Sequence, residues 1–286
     1  MLTLKSPAKI NWFLEVMGKR PDGYHELVTV MQTVSLYDTL DFEDLPRPFI
    51  EFRCDLDLGP PEKNLVVRAA QAVQKTYAEK RGARITLNKK IPHGAGLGGG
   101  SSDAATTVVG LNQLWNLNLS TEQLEQVVRS VGSDCAFFVR GGTALCTGRG
   151  EIVEPKPLIS GIDLVILYPE IVLPTPDVYR KLSENLQFER RKCNFFHRDA
   201  LSLDATKVAT KVFNRLEHVA LRVSPKLSDV WQRTADEKAV TKRFVSGSGS
   251  SLVFVVPDES AARALAQSFE KRSLGRAFVA KSVAGR

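Results

Sequence analysis

The segment best suited to chemistry lies between residues 92 and 105, where five glycines are followed by two serines. It connects a candidate strand, 85–91, to a candidate helix that runs to about Trp115. Glycine permits positive φ and close approach of a ligand to the backbone. Successive N–H groups can then surround an anion, and the helix dipole adds positive potential. We therefore predict a phosphate-binding loop in which Ser101 and Ser102 cap the helix and offer hydroxyls.

The residues alone leave three interpretations of this loop open. The spacing Gly94-x-Gly96-x-x-Gly99 fits the dinucleotide fingerprint, which is weak without a βαβ context. That context is missing, because residues 115–120 are predicted to be a helix end and a loop. A nucleoside-triphosphate loop is the second interpretation, although no Gly-Lys-Ser/Thr follows as in a Walker A motif. A flexible connection is the third, but such loops rarely place glycines so densely before a helix.

Two charged residues outside the loop are candidates for catalysis. Asp134 follows Gly132 and Ser133, and a carboxylate close to an alcohol can accept its proton. The commoner use of an Asp at such a place is to end a turn or a helix. Lys9 lies between Ala8 and Ile10 in an apolar stretch, where a lysine is harder to explain as a surface residue.

Length and hydrophobic periodicity predict an α+β protein of two domains or one large one. The chain has 286 residues, of which 25% are charged and 43% hydrophobic, as in ordinary globular proteins. Strands are predicted at 2–16, 33–42, 85–91, 164–168 and 252–256. Helices are predicted from Leu65 to Gly82, from the glycine-rich loop to about Trp115, from the Ser120–Gln123 capping box to Val131, at 176–184, 206–222 and 225–236, and after Asp258. Gly141-Gly142 predicts a turn between strands, and the prolines of 154–161 predict a domain boundary.

The charge pattern favours small anionic partners. The net charge is +7, which favours nucleic acid or phosphorylated small molecules. The densest basic run, Arg190–Lys192, is short and is expected to be a solvated loop, so we expect no nucleic-acid partner. The four cysteines form no C-x-x-C pair and are expected to be reduced thiols. With neither an apolar run of membrane-spanning length nor a signal segment, we expect a cytoplasmic protein without a membrane partner.

Three segments together resemble the GHMP kinases, which include galactokinase, homoserine kinase and mevalonate kinase. Residues 92–105 resemble the signature loop of that family, and residues 6–11 resemble its first motif. Residues 246–251 resemble its third motif, with Ser248 in place of the usual threonine. The resemblance implies a two-domain α+β fold: a ribosomal-protein-S5-like, ATP-binding domain over 1–154 and a ferredoxin-like domain over 155–286. ATP and substrate would lie in the cleft between them.

The resemblance also implies roles for individual residues. Asp134 would be the general base, with Lys9 as its cationic partner. Both the cofactor, ATP with Mg²⁺, and a small-molecule substrate are implied; the metal ligands and the choice between monomer and homodimer are not. The implied ATP-binding residues are Pro92, Gly94, Ala95, Gly96, Leu97, Gly98, Gly99, Gly100, Ser101, Ser102, Asn64 and Leu65.

The turn Arg20–His25 is similar to that of the family branch that recognises a cytidine-containing substrate. The implied substrate-binding residues are Asn11, Tyr24, His25 and Tyr179. The two tyrosines would stack on cytosine, and His25 would form a hydrogen bond with its edge. The alternatives are a GHMP kinase for homoserine, mevalonate or a sugar, a nicotinamide-dependent oxidoreductase, and a non-enzymatic nucleotide-binding module.

Two short segments depart from the family pattern. Cys135-Ala136 replaces a Val-Pro pair after Asp134, which predicts a looser turn there because proline fixes φ. Arg215 stands where relatives have aspartate, and the sequence assigns no consequence to that change.

Overall fold

The computed structural model describes residues 1–157, 159, 161–183 and 205–285. The predictions for the basic run 190–192, for Cys193 and for residue 184 at the end of a predicted helix lie outside these residues. The strands are β1 (Leu2–Lys19), β2 (His25–Leu45), β3 (Ile50–Cys54), β4 (Gly82–Asn88), β5 (Thr143–Gly148), β6 (Ile152–Lys156), β7 (Asp163–Tyr168), β8 (Phe213–Asn214), β9 (Lys242–Val245), β10 (Leu252–Val255) and β11 (Arg276–Lys281). The helices are α1 (Leu65–Tyr77), α2 (Gly99–Leu114), α3 (Thr121–Arg129), α4 (Cys135–Arg140), α5 (Thr175–Ser183), α6 (Ala205–Lys211), α7 (Glu217–Val223), α8 (Pro225–Arg233) and α9 (Glu259–Lys271).

The first sheet is built on a long antiparallel pair, β1 and β2. Their connection turns at Gly23, whose φ of +85° suits glycine, and the Tyr24 N–H donates to the Asp22 carboxylate. The strand order is β3-β4-β2-β1-β8, and β5 pairs with both β2 and β6. The helices α1 to α4 pack their apolar residues, such as Val73, Val108 and Phe137, into one buried cluster with residues of this sheet.

The second sheet has the order β11-β7-β10-β9 and is antiparallel throughout. One buried cluster joins it to the first sheet, with Trp12 and Ile10 of β1 packed together with Ile166 and Val253. A further cluster buries Phe254 with Phe269 of α9. The cluster that contains Trp12 and Ile166 draws residues from both sheets. It therefore fixes the two sheets relative to one another, and with them the cleft between their loops.

Two glycine positions correct the predicted helix boundaries. The helix that begins at Leu65 ends at Tyr77 and not at Gly82. Gly82 instead opens β4, where a Cβ would lie 1.8 Å from the Arg47 carbonyl oxygen. The helix of the glycine-rich loop begins at Gly99, and its N-cap is Gly98 without a side-chain hydrogen bond. The prediction that serines cap this helix is therefore wrong.

Two other predicted elements are also wrong. Residues 206–222 are not one helix, since β8 interrupts them. Asn214 leaves the helical path because its side-chain amide donates to the carbonyl oxygens of Val245 (2.8 Å) and Gly247 (2.7 Å). Gly141-Gly142 follows the short helix α4 and precedes β5, so it is not a turn between two strands. The predicted caps at Ser120 and Asp258 are confirmed.

The α+β class is confirmed by these two sheets and their helices. The division at residues 154 and 155 stays a prediction, and β6 pairs with β5 across that point. Cys54, Cys135 and Cys146 form no disulfide. Among the helices of the described ranges, none combines the length and the apolar character that a membrane span requires.

Candidate active site

A cleft of about 780 Å³ runs between the glycine-rich loop, β1, the β1–β2 turn and α5. It brings together residues that are far apart in the sequence: Lys9, Tyr24, Gly98, Asp134 and Tyr179 all line it. Ser102 is the one predicted site residue that does not line the cleft. Its hydroxyl is buried and accepts a hydrogen bond from Ser6 Oγ at 2.8 Å. Ser101, in the same helical turn, does line the cleft.

The glycine-rich loop is held from two sides. The Lys9 N–H donates to the Leu97 carbonyl oxygen at 2.9 Å, and the Ser251 N–H donates to the Ala95 carbonyl oxygen at 3.1 Å. Gly96 has φ +76°, and a Cβ there would lie 2.1 Å from the Ser246 carbonyl oxygen. This glycine is therefore required by contact with the loop at 246–251, so that the first, second and third sequence motifs form one structure.

The N-terminus of α2 faces this cleft without a side-chain cap. The first N–H groups of a helix have no intrahelical acceptor and carry partial positive charge. Phosphate oxygens are suited to both features. Asn64 and Leu65, at the start of α1, line the same part of the cleft; Leu65 Cδ1 would lie 3.6 Å from a Cβ on Gly100.

Lys9 and Asp134 lie close together in the cleft. The Lys9 ammonium donates to Asn11 Oδ1 (2.8 Å) and to the Gly96 carbonyl oxygen (3.1 Å), and lies 3.8 Å from Asp134 Oδ2. Asn11 is itself held by Thr29, to which its amide donates. Burial lowers the pKa of Lys9, and the charge of Asp134 opposes that shift.

Asp134 is the N-cap residue of α4, but its side chain makes no capping hydrogen bond. The common structural use of an aspartate at this position is therefore absent, and the carboxylate is 30% exposed toward the cleft. Cys135 and Ala136 follow at once in α4 and are fully buried. Burial raises the pKa of the Cys135 thiol to about 12, which makes it a packing residue. The predicted looseness of this turn stays a prediction.

At the other end of the cleft lie Tyr24, His25 and Tyr179. The ring centroids of His25 and Tyr179 are 5.0 Å apart, and His25 Nε2 lies 2.9 Å from Ser183 Oγ. Burial lowers the pKa of His25, and nearby Lys19 adds to this effect. Tyr24 is 53% exposed, and the Arg149 guanidinium lies 4.5 Å above its ring. The rim of the cleft is therefore aromatic and basic.

Sequence reasoning missed several residues here. Lys89 and Asp103 line the cleft, and Thr175 Oγ1 lies 2.9 Å from Ser248 Oγ, which joins α5 to the loop at 246–251. Asp103 could have been found from the sequence, because it lies inside the glycine-rich segment 92–105. The sequence evidence for Thr175 was weaker: it directly precedes the predicted helix that contains Tyr179.

Arg215, whose departure from the family pattern had no interpretation, pairs with Glu15 on β1. Its Nε lies 2.7 Å from Glu15 Oε1 and its second nitrogen 2.8 Å from Oε2. Glu15 is completely buried, so this bidentate pair ties β8 to the strand that carries Lys9.

Comparison with known proteins identifies the family. Residues 64–142 match the family described as GHMP kinases N terminal domain. The chain is 37% identical over 259 residues to the 4-diphosphocytidyl-2-C-methyl-D-erythritol kinase of Caldanaerobacter subterraneus subsp. tengcongensis, covering 90% of this chain and 88% of the relative. It is 38% identical over 264 residues to the enzyme of the same name from Listeria welshimeri, covering 92% and 90%.

The chain belongs to the 4-diphosphocytidyl-2-C-methyl-D-erythritol kinase family. A crystal structure of 4-(cytidine 5'-diphospho)-2C-methyl-D-erythritol kinase superposes with a TM-score of 0.79 at 32% identity, over 98% of both chains. The homoserine kinase of Cytophaga hutchinsonii superposes with a TM-score of 0.75 at 18% identity, over 99% of this chain and 95% of that one, which shows a shared fold. The predicted GHMP kinase fold is therefore confirmed, and as a member of this kinase family the chain uses ATP.

Proposed function

We propose that this enzyme transfers the γ-phosphoryl group of ATP to the 2-hydroxyl of 4-diphosphocytidyl-2-C-methyl-D-erythritol, giving the 2-phosphate and ADP. This reaction belongs to the non-mevalonate isoprenoid pathway. The names of the relatives support it, and so does the arrangement of the cleft. An uncapped helix N-terminus, a lysine–aspartate pair and an aromatic end occur in one continuous cavity.

The observation that carries the choice of substrate is the hydrogen bonding of His25. Ser183 Oγ donates its hydrogen to the Tyr179 carbonyl oxygen at 2.9 Å. Ser183 Oγ also lies 2.9 Å from His25 Nε2. Because its own hydrogen is given to Tyr179, Ser183 Oγ accepts the hydrogen of Nε2, and this fixes the imidazole tautomer. Nδ1 of the neutral ring is then a hydrogen-bond acceptor. Cytosine presents an amino donor at position 4, where uracil presents a carbonyl oxygen, so this tautomer favours cytosine.

The cleft also suits the chemistry of phosphoryl transfer. In our proposal Asp134 accepts the proton of the substrate hydroxyl. The hydroxyl oxygen bonds to the γ-phosphorus of ATP while the bond from that phosphorus to ADP breaks. Lys9, fixed by Asn11 and the Gly96 carbonyl oxygen, stabilises negative charge on the transferring group. The open N–H groups at the start of α2 hold the phosphates of ATP.

Magnesium would enter this scheme with ATP and would neutralise part of the charge of its phosphates. In the described part of the chain no three His, Cys, Asp or Glu side chains form a cluster that would hold a metal ion. Mg²⁺ often binds through substrate phosphates and water with few protein ligands. The cleft therefore suits a metal delivered by the nucleotide rather than one resident in the protein.

The test compares the cytidine substrate with its uridine counterpart, with ADP formation as the readout. We expect the wild type to prefer cytidine in kcat/KM. His25→Ala and Ser183→Ala should both reduce that preference, because the first removes Nδ1 and the second frees the tautomer. Loss of one hydrogen-bonded recognition contact costs about 1–3 kcal/mol when a polar group is left unpaired. The ATP KM should stay close to the wild-type value in both variants.

Two outcomes would refute parts of this proposal. Equal use of both bases by the wild type would reject the cytidine assignment and favour another GHMP kinase substrate. Unchanged discrimination in Ser183→Ala would reject the tautomer argument alone. Ile152→Ala is a suitable control, because Ile152 lies on β6, is exposed and does not line the cleft.

A further inference from the structure

A buried cluster of charge lies directly behind the glycine-rich loop. The Lys89 ammonium lies 2.5 Å from Asp38 Oδ2 and 2.9 Å from Asp103 Oδ2. The side chains of all three residues are 4% exposed or less. The cluster joins β2, the end of β4 and the first turns of α2, so it connects the sheet to the helix whose N-terminus faces the cleft.

This cluster reaches the place where nucleotide phosphates would bind. A Cβ on Gly99 would lie 3.2 Å from Lys89 Nζ, so the ammonium sits against the first residue of α2. Both Lys89 and Asp103 line the cleft. Charge that enters the glycine-rich loop will therefore act on Asp103 through a short, poorly screened distance.

The two carboxylates of the cluster are not equivalent. Asp38 accepts hydrogen bonds from Lys89 Nζ and from the N–H groups of Lys90 and Ile91. Asp103 accepts one from Lys89 through Oδ2, and its buried Oδ1 has no hydrogen-bond partner in the described structure. A buried carboxylate oxygen without a donor is costly, and the cost falls when that oxygen carries a proton.

The neighbouring Ser6 hydroxyl acts in the opposite direction. A hydrogen bond from Ser6 lowers the pKa of Asp103, against the larger effect of burial. The same hydroxyl donates to Ser102 Oγ at 2.8 Å, so two acceptors compete for its one hydrogen. The cluster holds one ammonium for two carboxylates, which leaves an excess negative charge unless one of them is protonated.

We propose that Asp103 is a positioning residue that takes up a proton when nucleotide phosphates occupy the glycine-rich loop, so that ATP affinity depends on the charge of Asp103. This inference rests on the proposed ATP site. Protonation removes the repulsion between the phosphates and a carboxylate behind them, and it leaves Lys89 with one partner, Asp38. The positive charge of Lys89 is then less fully neutralised beside Gly99, where it favours phosphate.

The direction of the pH dependence follows from the environment of Asp103. Burial raises its pKa, Lys89 opposes that shift and Asp38 adds to it, to a value of about 7. Bound phosphate raises it further. Affinity is therefore greatest where Asp103 is protonated in the free enzyme, and it falls as pH rises through about 7, by up to tenfold per pH unit for one linked proton.

Calorimetry tests the proposal directly. MgADP or a non-hydrolysable MgATP analogue is titrated into the enzyme slightly above neutral pH, in two buffers of different ionisation enthalpy. The dependence of the observed heat on the buffer gives the number of protons taken up. We expect the wild type to take up a measurable fraction of one proton per nucleotide. In Asp103→Asn this uptake should be absent. The Kd of Asp103→Asn should vary less with pH.

The controls separate this proton from other sources. Asp55→Asn is matched, because Asp55 is exposed and accepts a hydrogen bond from the Lys89 N–H but does not line the cleft; its uptake should equal that of the wild type. His93 and Asp134 also line the cleft, and uptake that survives Asp103→Asn belongs to such groups and overturns the proposal. So does binding by wild type without uptake, whether or not the variant folds. Absence of any nucleotide binding would instead refute the ATP site itself.

Discussion

Lys9 and Lys89 contact neighbouring glycines of one loop, but their surroundings shift the pKa of the ammonium in opposite directions. Burial lowers the pKa of Lys89, yet Asp103 and Asp38 outweigh that effect and hold the pKa above its ordinary value. The Lys9 ammonium donates to two neutral oxygens, those of Asn11 and Gly96, and its one carboxylate partner in the described structure, Asp134, lies 3.8 Å away. Burial lowers its pKa. The Lys89 ammonium is thus held in two short ion pairs. The Lys9 ammonium has one carboxylate at a longer distance and can interact more strongly with an added negative charge.

From this difference we expect Lys89 to support the fold and Lys9 to support the proposed reaction. A group that is fully paired before substrate arrives gains little from a new negative charge. A buried ammonium that is loosely paired gains more, because it is already desolvated and oriented. We therefore expect substitutions around Lys9 to act on kcat, and substitutions around Lys89 to act on stability.

The largest expected effect is on turnover. Asp134→Asn keeps the size of the side chain but removes most of its basicity, so kcat at saturating substrates should fall about 10²–10⁴-fold. The variant should unfold at a similar urea concentration, because the carboxylate makes no capping hydrogen bond. A folded variant with near wild-type kcat would contradict the general-base role of Asp134. It would also remove the support for assigning the neighbouring Lys9 to the reaction.

The next effect is on stability. Lys89→Met leaves two buried carboxylates without their ammonium, and breaking such a buried pair costs about 3–5 kcal/mol. Urea denaturation should show this loss in the free energy of unfolding. Adding Asp103→Asn to Lys89→Met should recover part of the loss, because Asp103 then no longer has to be buried as a charge or protonated on folding. A loss no larger than that of the matched Lys9→Met variant would show that the two lysines are equivalent in stability.

A smaller change in free energy is expected at Lys9. Lys9→Met should lower kcat about 10²–10³-fold, as removal of one group that stabilises transition-state charge does, and should destabilise the fold less than Lys89→Met. Steady-state kinetics and urea denaturation of the same samples measure both quantities. If Lys9→Met lost stability and kept kcat, the roles assigned to the two lysines would be reversed.

The wild-type pH profile tests the same role for Lys9 without a substitution. The proposed chemistry needs the ammonium, and the pKa of Lys9 lies below its ordinary value of 10.5. The alkaline loss of kcat/KM, which reports the free enzyme, should therefore begin below that pH. A kcat/KM that stays constant through pH 10.5 in folded enzyme would exclude an essential ammonium at this position.

Much of the site could be predicted from sequence because its parts are local. The glycine-rich loop, the helix after it and the Ser120 and Asp258 caps depend on residues a few positions apart, where backbone preference and short-range hydrogen bonds decide the structure. The GHMP kinase fold was predicted because three such local segments occur in one chain in the family's order. The roles given to Lys9, Asp134 and the ATP-binding residues stay predictions, although all of these residues except Ser102 line one cleft.

The sequence by itself determined the glycine-rich loop before a helix, the turn that carries Tyr24 and His25, and the family. Only the tertiary structure decided the start of α2, the break at Asn214, the burial of Ser102 and the pairing of Lys89 with two aspartates. These features depend on atoms that are 14 to about 96 positions apart along the chain. Local propensity carries no information about such partners. Burial and charge at a site are set by what the folded chain brings around it, so a lysine is held by two close aspartates at position 89 and has one more distant carboxylate at position 9.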